Sequence, residues 1–334
     1  MIRSIICYFV FALLSVTITS QQFVPPRAPA IALQPNAKWA ENGLTVAGGN
    51  GNGSGINQLN HPQSLVVDDD QTIYIADTHN HRIVQWKSGA TSGQIVAGGN
   101  GQGNGANQLN EPHDVIIDKA RDSLIICDRT NRRVVRWPRR NGTSGETILS
   151  NIDCHGITID EDGFLFVVDS ENNQVKQYRI GDTEGKVVAG GKGEGSGLDQ
   201  LIKPTYVFVD RGHSMYVSDW GNDRVMKWEA GAKQGTVVAG GQGSGDGLEQ
   251  VFFPHQLVVD QSGTLYLADT RNDRIVRWLK GATQGSIIAG GTRGSGPNQL
   301  SFPRGVSFDR NGNLYVADLA NHRVQKFNIQ QATF

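Results

Sequence analysis

Cysteine is scarce in this sequence. Three residues in 334, Cys7, Cys127 and Cys154, exclude a fold built on a dense disulfide framework. Proline is also low, at 11, so the 42 glycines do not belong to a collagen-like chain. Neither sign of charge dominates, with 31 Lys+Arg against 32 Asp+Glu. Overall charge therefore does not draw the protein to nucleic acid or to an anionic membrane. A hydrophobic share of 38% with net charge −1 excludes a wholly disordered chain. Beyond residue 20 no run is apolar enough to cross a bilayer, and no segment keeps a helical period.

The first twenty residues stand apart. Arg3 opens them, Ile5 to Ile18 is mostly apolar, and Ser20 is small. Residues 1–20 read as a secretory signal peptide, with an uncleaved anchor as the alternative, because the apolar stretch is short for a membrane span. The expected location is secreted, with no stable membrane insertion. Asn52 and Asn141 lie in sequons and are expected to be glycosylated. Residues 21–36, with Pro25, Pro26, Pro29 and Pro35, read as a linker.

What the chain does have is a repeat. Six related segments begin at Ser64, Asp114, Gly156, Tyr206, Gln256 and Gly305, at spacings of 50, 42, 50, 50 and 49 residues. Each holds three short apolar runs rich in Val, Ile and aromatics, bounded by Asp, Asn and Gly. A fourth run follows in most units, as at Ile95–Ala97. Runs of this length and composition are strands. Four strands in each of six units predict an all-β, six-bladed propeller over residues 37–328, with 329–334 as a C-terminal tail. The sixth unit lacks its fourth strand, and Leu44–Gly49 matches the missing piece. The N-terminal strand is therefore expected to complete the last blade and close the ring, which removes exposed sheet edges.

The glycines concentrate after the fourth strands, in Val-Ala-Gly-Gly strings that run into Gly-rich loops ending near Gln-Leu. A phosphate-binding loop needs a following helix, and none follows here, so these loops read as blade connectors. The junction after the second unit lacks such a loop.

The segment Gly312–Asp318 with Asn321–Phe327 closely resembles the NHL repeat, and the other units carry variants of it. The resemblance covers residues 38–328 and implies a propeller without specifying what it binds. Asp77, Asn80 and Arg82 recur in the other units, except that unit three has Asp169, Asn172 and Gln174. A sixfold acid of this kind reads as a turn fixture rather than a catalyst. No nucleophile–base pair or paired carboxylates emerge.

Function is expected where the units differ. The start of the innermost strand holds Gln63, His113, His155, Thr205, His255 and Arg304, which should ring one mouth of the central channel. Three imidazoles with an open position make a catalytic zinc set. Pro112-His113 and Pro254-His255 are similar to the Pro-His pattern of the peptidyl-α-hydroxyglycine α-amidating lyase propeller. Here the histidines fall in units two, three and five, and that family's remaining catalytic residues have no match. Two expectations result. The first is a secreted binding scaffold without a cofactor, whose protein or small-molecule ligand sits at the mouth. The alternative is a zinc-dependent lyase or hydrolase using His113, His155 and His255.

Cys127 and Cys154 fall on one face of neighbouring units beside the shortened junction, as a disulfide or as two buried thiols. Arg132, Arg133, Arg136, Arg139 and Arg140 form a basic cluster that reads as a solvated edge rather than a nucleic-acid face. Trp86, Trp137, Tyr178, Trp228, Trp278 and Phe327 share one repeated position and read as packing between blades. Trp220 breaks register in a mouth-side turn and is a candidate contact residue.

Overall fold

Short β-branched and aromatic runs, separated by turns that need left-handed backbone, leave no room for long elements. In the computed structural model, which describes residues 25–29 and 32–330, almost all regular structure is strand. Blade 1 comprises Pro62–Val67, Ile73–Asp77, Arg82–Trp86 and Gln94–Gly98, hydrogen-bonded in that order as an antiparallel meander. Blades 2 to 5 repeat it, with inner strands Pro112–Asp118, Cys154–Ile159, Pro204–Val209 and Pro254–Val259. Blade 6 has the inner strand Pro303–Phe308. Its outermost strand is Leu44–Gly48, paired with Arg323–Phe327. The N-terminal strand thus closes the ring as expected, and the inner strand of blade 6 packs on that of blade 1. The first residues of the expected tail continue this closure, with Ile329–Gln330 pairing with Lys38–Trp39.

The core lies in layers between blades. One layer joins Tyr74, Ile83 and Leu109 to Val115, Ile126 and Trp137. The six repeated aromatics are all buried within these layers, from Phe327 at 0% to Tyr178 at 5% exposed. Each Asp-Asn-Arg set works as a buckle. Asp77 Oδ2 accepts from Asn80 Nδ2 at 2.8 Å and from Arg82 Nε at 2.7 Å, while Arg82 donates onward to the carbonyls of Ser54, Gly55 and Gln58. The arginine therefore ties the preceding Gly-rich connector to the turn. Blade 3 has no such connector before it, and there Gln174 replaces the arginine and reaches only Asp169. Glycine is required at the connector's entry: Gly48 has φ +66°, and a Cβ there would lie 2.4 Å from the His322 carbonyl.

The shortened junction is stapled. Cys127 and Cys154 form a disulfide with Cα atoms 5.6 Å apart, both 0% exposed, joining the second strand of blade 2 to the inner strand of blade 3. The basic cluster of blade 2 is spent on carboxylates: Arg132 on Glu171, Arg133 on Asp128, Arg136 on Glu146, and Arg139 and Arg140 on Asp122. No helix among the described residues is long and apolar enough to cross a membrane. The signal-peptide expectation falls on residues outside the described ones. Asn52 and Asn141 are exposed.

Part of the proline-rich stretch read as a linker is packed into the propeller. Arg27, Ala28 and Leu33 are buried, and the Arg27 carbonyl accepts from Phe308 N at 2.8 Å, at the far end of the blade 6 inner strand. A cavity of about 320 Å³ remains between Pro25, Ala28 and Pro29 and the loops around Asp210 and Asp260.

Candidate functional site

All six inner strands start at one mouth, so the residue after each initial proline or cysteine falls in a common ring. That ring holds Gln63, His113, His155, Thr205, His255 and Arg304. The structure brings the predicted residues together, but they do different things. Thr205 is buried and turned sideways, its Oγ1 donating to the Pro254 carbonyl at 3.0 Å. Gln63 Oε1 accepts from Arg304 Nη1 at 2.7 Å. His113 and His155 meet edge to face, with ring centroids 4.8 Å apart.

The imidazoles are poorly satisfied. His113 and His255 are each 6% exposed, yet among the described residues His113 Nδ1 and both nitrogens of His255 lack a hydrogen-bond partner, as does His155 Nδ1. The Arg304 backbone approaches the His255 ring close enough to act on its charge, without reaching hydrogen-bond geometry. Arg304 Nε is also buried and unpartnered. Burial pushes all three histidines below their ordinary range, His155 to about 3 and His113 and His255 well below it. Arg304 is pushed down to about 10 by burial and then by the like charge of Arg129. The imidazoles are therefore neutral at physiological pH.

The next ring down closes the channel. It is formed by Ser64, Asp114, Gly156, Tyr206, Gln256 and Gly305, and Arg27 reaches it from the opposite mouth. The Arg27 guanidinium, on a residue 3% exposed, pairs with Asp114. It also donates to Leu65 O at 2.8 Å, Tyr206 Oη at 2.6 Å and Val115 O at 2.6 Å. Asp114 further accepts from Ile157 N at 2.8 Å, and Gln256 Nε2 donates to Ser64 Oγ at 3.2 Å. The histidine ring therefore sits above a hydrogen-bonded floor. Arg27 was not singled out from the sequence. The available signal was Asp114, the one acidic residue in the second ring.

Aromatics wall one side of the mouth. Trp220, the predicted contact residue, stacks on Phe253 with centroids 4.1 Å apart and planes 26° from parallel. Arg271 lies over Phe252, Phe253 and Phe302 at 5.5–5.7 Å. Phe253 and Phe302 immediately precede Pro254-His255 and Pro303-Arg304, so this wall adjoins the ring on the side of blades 4 to 6. Between blades 6 and 1 the rim instead carries His61, whose ring lies 4.3 Å from His79 and 4.8 Å from His322.

A shared zinc at ~2.0–2.1 Å from each nitrogen requires ligand atoms within about 4.2 Å of one another. Among the described residues the set of His, Cys, Asp or Glu that brings three ligand atoms within 4.8 Å is Asp160, Asp162 and His213, at the opposite mouth. His113, His155 and His255 do not meet that condition as arranged, and the full charges acting on them, from Arg129, Arg304 and Lys203, are positive. These residues do not fit a three-histidine zinc centre.

Three segments, residues 59–86, 152–178 and 300–327, match the NHL repeat family model. No curated protein gives a significant match. Solved structures do. A structural genomics protein of unknown function from Bacteroides thetaiotaomicron superposes with TM-score 0.70 at 16% identity, over 88% of this chain and 77% of that one. An auxiliary nutrient binding protein from the same organism gives 0.68 at 16% identity, over 89% and 78%. A gluconolactonase from Xanthomonas campestris gives 0.61 at 13% identity, over 93% and 96%. At these identities the likeness concerns the fold alone. The chain is a six-bladed β-propeller that carries NHL repeats.

Proposed function

We propose that the protein is a secreted binding propeller that takes a small ligand at its histidine-lined mouth. The observation that carries this reading is the set of buried, unpartnered nitrogens on His113, His155 and His255 directly above a floor whose own polar groups are satisfied. A buried polar atom without a partner costs about 1–3 kcal/mol, so a ring of them is retained against stability. As arranged these nitrogens have almost no accessible surface, so a ligand recovers that cost by hydrogen-bonding to them once the ring side chains turn. The aromatic wall of Trp220, Phe253 and Phe302 offers apolar surface beside these groups. The buried Cys127–Cys154 bridge supports an oxidising compartment. The solved nutrient binding protein lends a precedent for binding on this fold, not for a ligand.

A thermal-shift panel of sugars, organic acids, amino acids and phosphates tests the reading. At least one class should raise the melting temperature of the wild type and not that of His255→Ala or Trp220→Ala. Metal analysis of the dialysed protein is the second arm. Stoichiometric zinc lost in His155→Ala/His255→Ala would overturn a pure binding role in favour of a zinc-dependent lyase or hydrolase.

A further inference from the structure

A buried arginine normally has a carboxylate. Arg27 has Asp114, and the buckle arginines Arg82, Arg133, Arg224, Arg274 and Arg323 each have the aspartate of their turn. Arg304 has none. Its hydrogen-bonding partner is the neutral Gln63 amide, and its Nε is buried without a partner. The charge acting on it is another cation, Arg129. Of the acids that approach this rim, Asp153 engages Arg129 at 3.3 Å, Glu171 engages Arg132, Glu111 accepts from the Thr130 hydroxyl, Asp273 pairs with Arg293, and Asp223, with no cation among the described residues, accepts from Phe253 N and the Ser244 hydroxyl. Asp114, one residue below His113, is held by Arg27. Arg304 is therefore a positive charge without a carboxylate of its own, set among neutral imidazoles that can donate N–H groups.

We infer that this mouth binds a small organic carboxylate, with Arg304 as its counter-charge, His113, His155 and His255 as hydrogen-bonding partners, and the Trp220–Phe253–Phe302 wall against its carbon skeleton. The inference rests on the mouth being the binding site. A guanidinium with free donors suits the planar carboxylate better than a spherical anion. The wall is one-sided, which selects a ligand carrying charge at one end and an apolar or ring face at the other. A cation is disfavoured by the same field that favours the carboxylate.

Isothermal titration with four probes tests this: benzoate, the neutral isostere benzamide, succinate and inorganic phosphate, all in the presence of a chelator. Benzoate should bind, and benzamide should bind about 10- to 100-fold more weakly, the worth of a charged hydrogen-bonded contact. Arg304→Gln should cost benzoate a similar factor and leave benzamide unaffected. Arg304→Lys should keep part of the affinity, which preserves the test if Arg304→Gln folds poorly. Phe253→Ala should weaken benzoate more than succinate. Three outcomes would overturn the inference: no carboxylate bound by the wild type, phosphate bound in preference to both carboxylates, or benzamide bound as tightly as benzoate. The last, with binding lost in His255→Ala, would remove the carboxylate and leave the mouth standing as the binding site. Stoichiometric zinc in the dialysed protein before chelator is added, lost in His155→Ala/His255→Ala, would instead remove the binding-propeller reading.

Discussion

Arg27 gives the sharpest test of how this propeller is built. Its guanidinium enters the channel from the mouth opposite the histidines and is the counter-charge of Asp114, which is 1% exposed. Arg27→Met removes the cation and leaves the carboxylate buried, with hydrogen bonds from Val115 N, Ile157 N and Ser64 but no opposite charge. Breaking a buried pair from one side costs about 3–5 kcal/mol. Unfolding entropy is about 2.1 cal/mol/K per residue, or roughly 0.6 kcal/mol/K for a propeller of this size. The melting temperature should therefore fall by roughly 5–8 °C. Burial already pushes the Asp114 carboxyl up against the opposing pull of Arg27, so losing Arg27 pushes it higher. Protonation then removes the unpaired charge, and the deficit of Arg27→Met should shrink as pH falls. Asp114→Asn in the Arg27→Met background should recover much of the loss, because a neutral pair needs no compensation. Urea or thermal denaturation of the four proteins completes the cycle. A cost under about 1 kcal/mol for Arg27→Met, with no coupling to Asp114→Asn, would refute the role given to the N-terminal segment.

Two further perturbations have defined outcomes. Reduction of Cys127–Cys154, whose separation is 27 residues, should cost about 3–4 kcal/mol by loop-closure entropy, and Cys127→Ser/Cys154→Ser should match it in denaturant titration. Acid should destabilise the fold through the mouth histidines. His155 titrates near 3 when folded and near 6.5 when unfolded, so the unfolded chain binds the proton first. Stability from this group is complete above pH 6.5 and falls by about 1.4 kcal/mol per pH unit below it, until pH 3. The loss of melting temperature between pH 6 and pH 4 should be smaller in His155→Gln than in the wild type; an identical slope would contradict the buried, neutral imidazole.

The propeller was legible because its determinants are local and repeated six times. Strand runs, Asp-x-x-Asn turns and Gly-Gly connectors each follow from short-range backbone chemistry, and ring closure followed from one missing strand and one spare. The departure at Gln174 was visible too, and its cause became clear only in space: no connector precedes blade 3 for an arginine to tie down. The ring of Gln63, His113, His155, Thr205, His255 and Arg304 was also readable from register. Which of its members are free was not, because that depends on side-chain direction. Thr205 turns to the Pro254 carbonyl and Gln63 to Arg304, whereas His255 finds no partner. The channel plug was invisible for another reason. Pro25-Pro26-Arg27-Ala28-Pro29 has the composition of a spacer, and its docking is set by Asp114 on a strand 87 residues away.

In the proposed function the unpartnered imidazoles of the mouth serve as ligand donors and acceptors. Nitrogen NMR of histidine-labelled protein, recorded with and without benzoate, tests it most directly. Ring-nitrogen resonances of His113, His155 and His255 should shift on binding while those of His213, at the opposite mouth, stay in place. Saturable binding that leaves those three unchanged would contradict it.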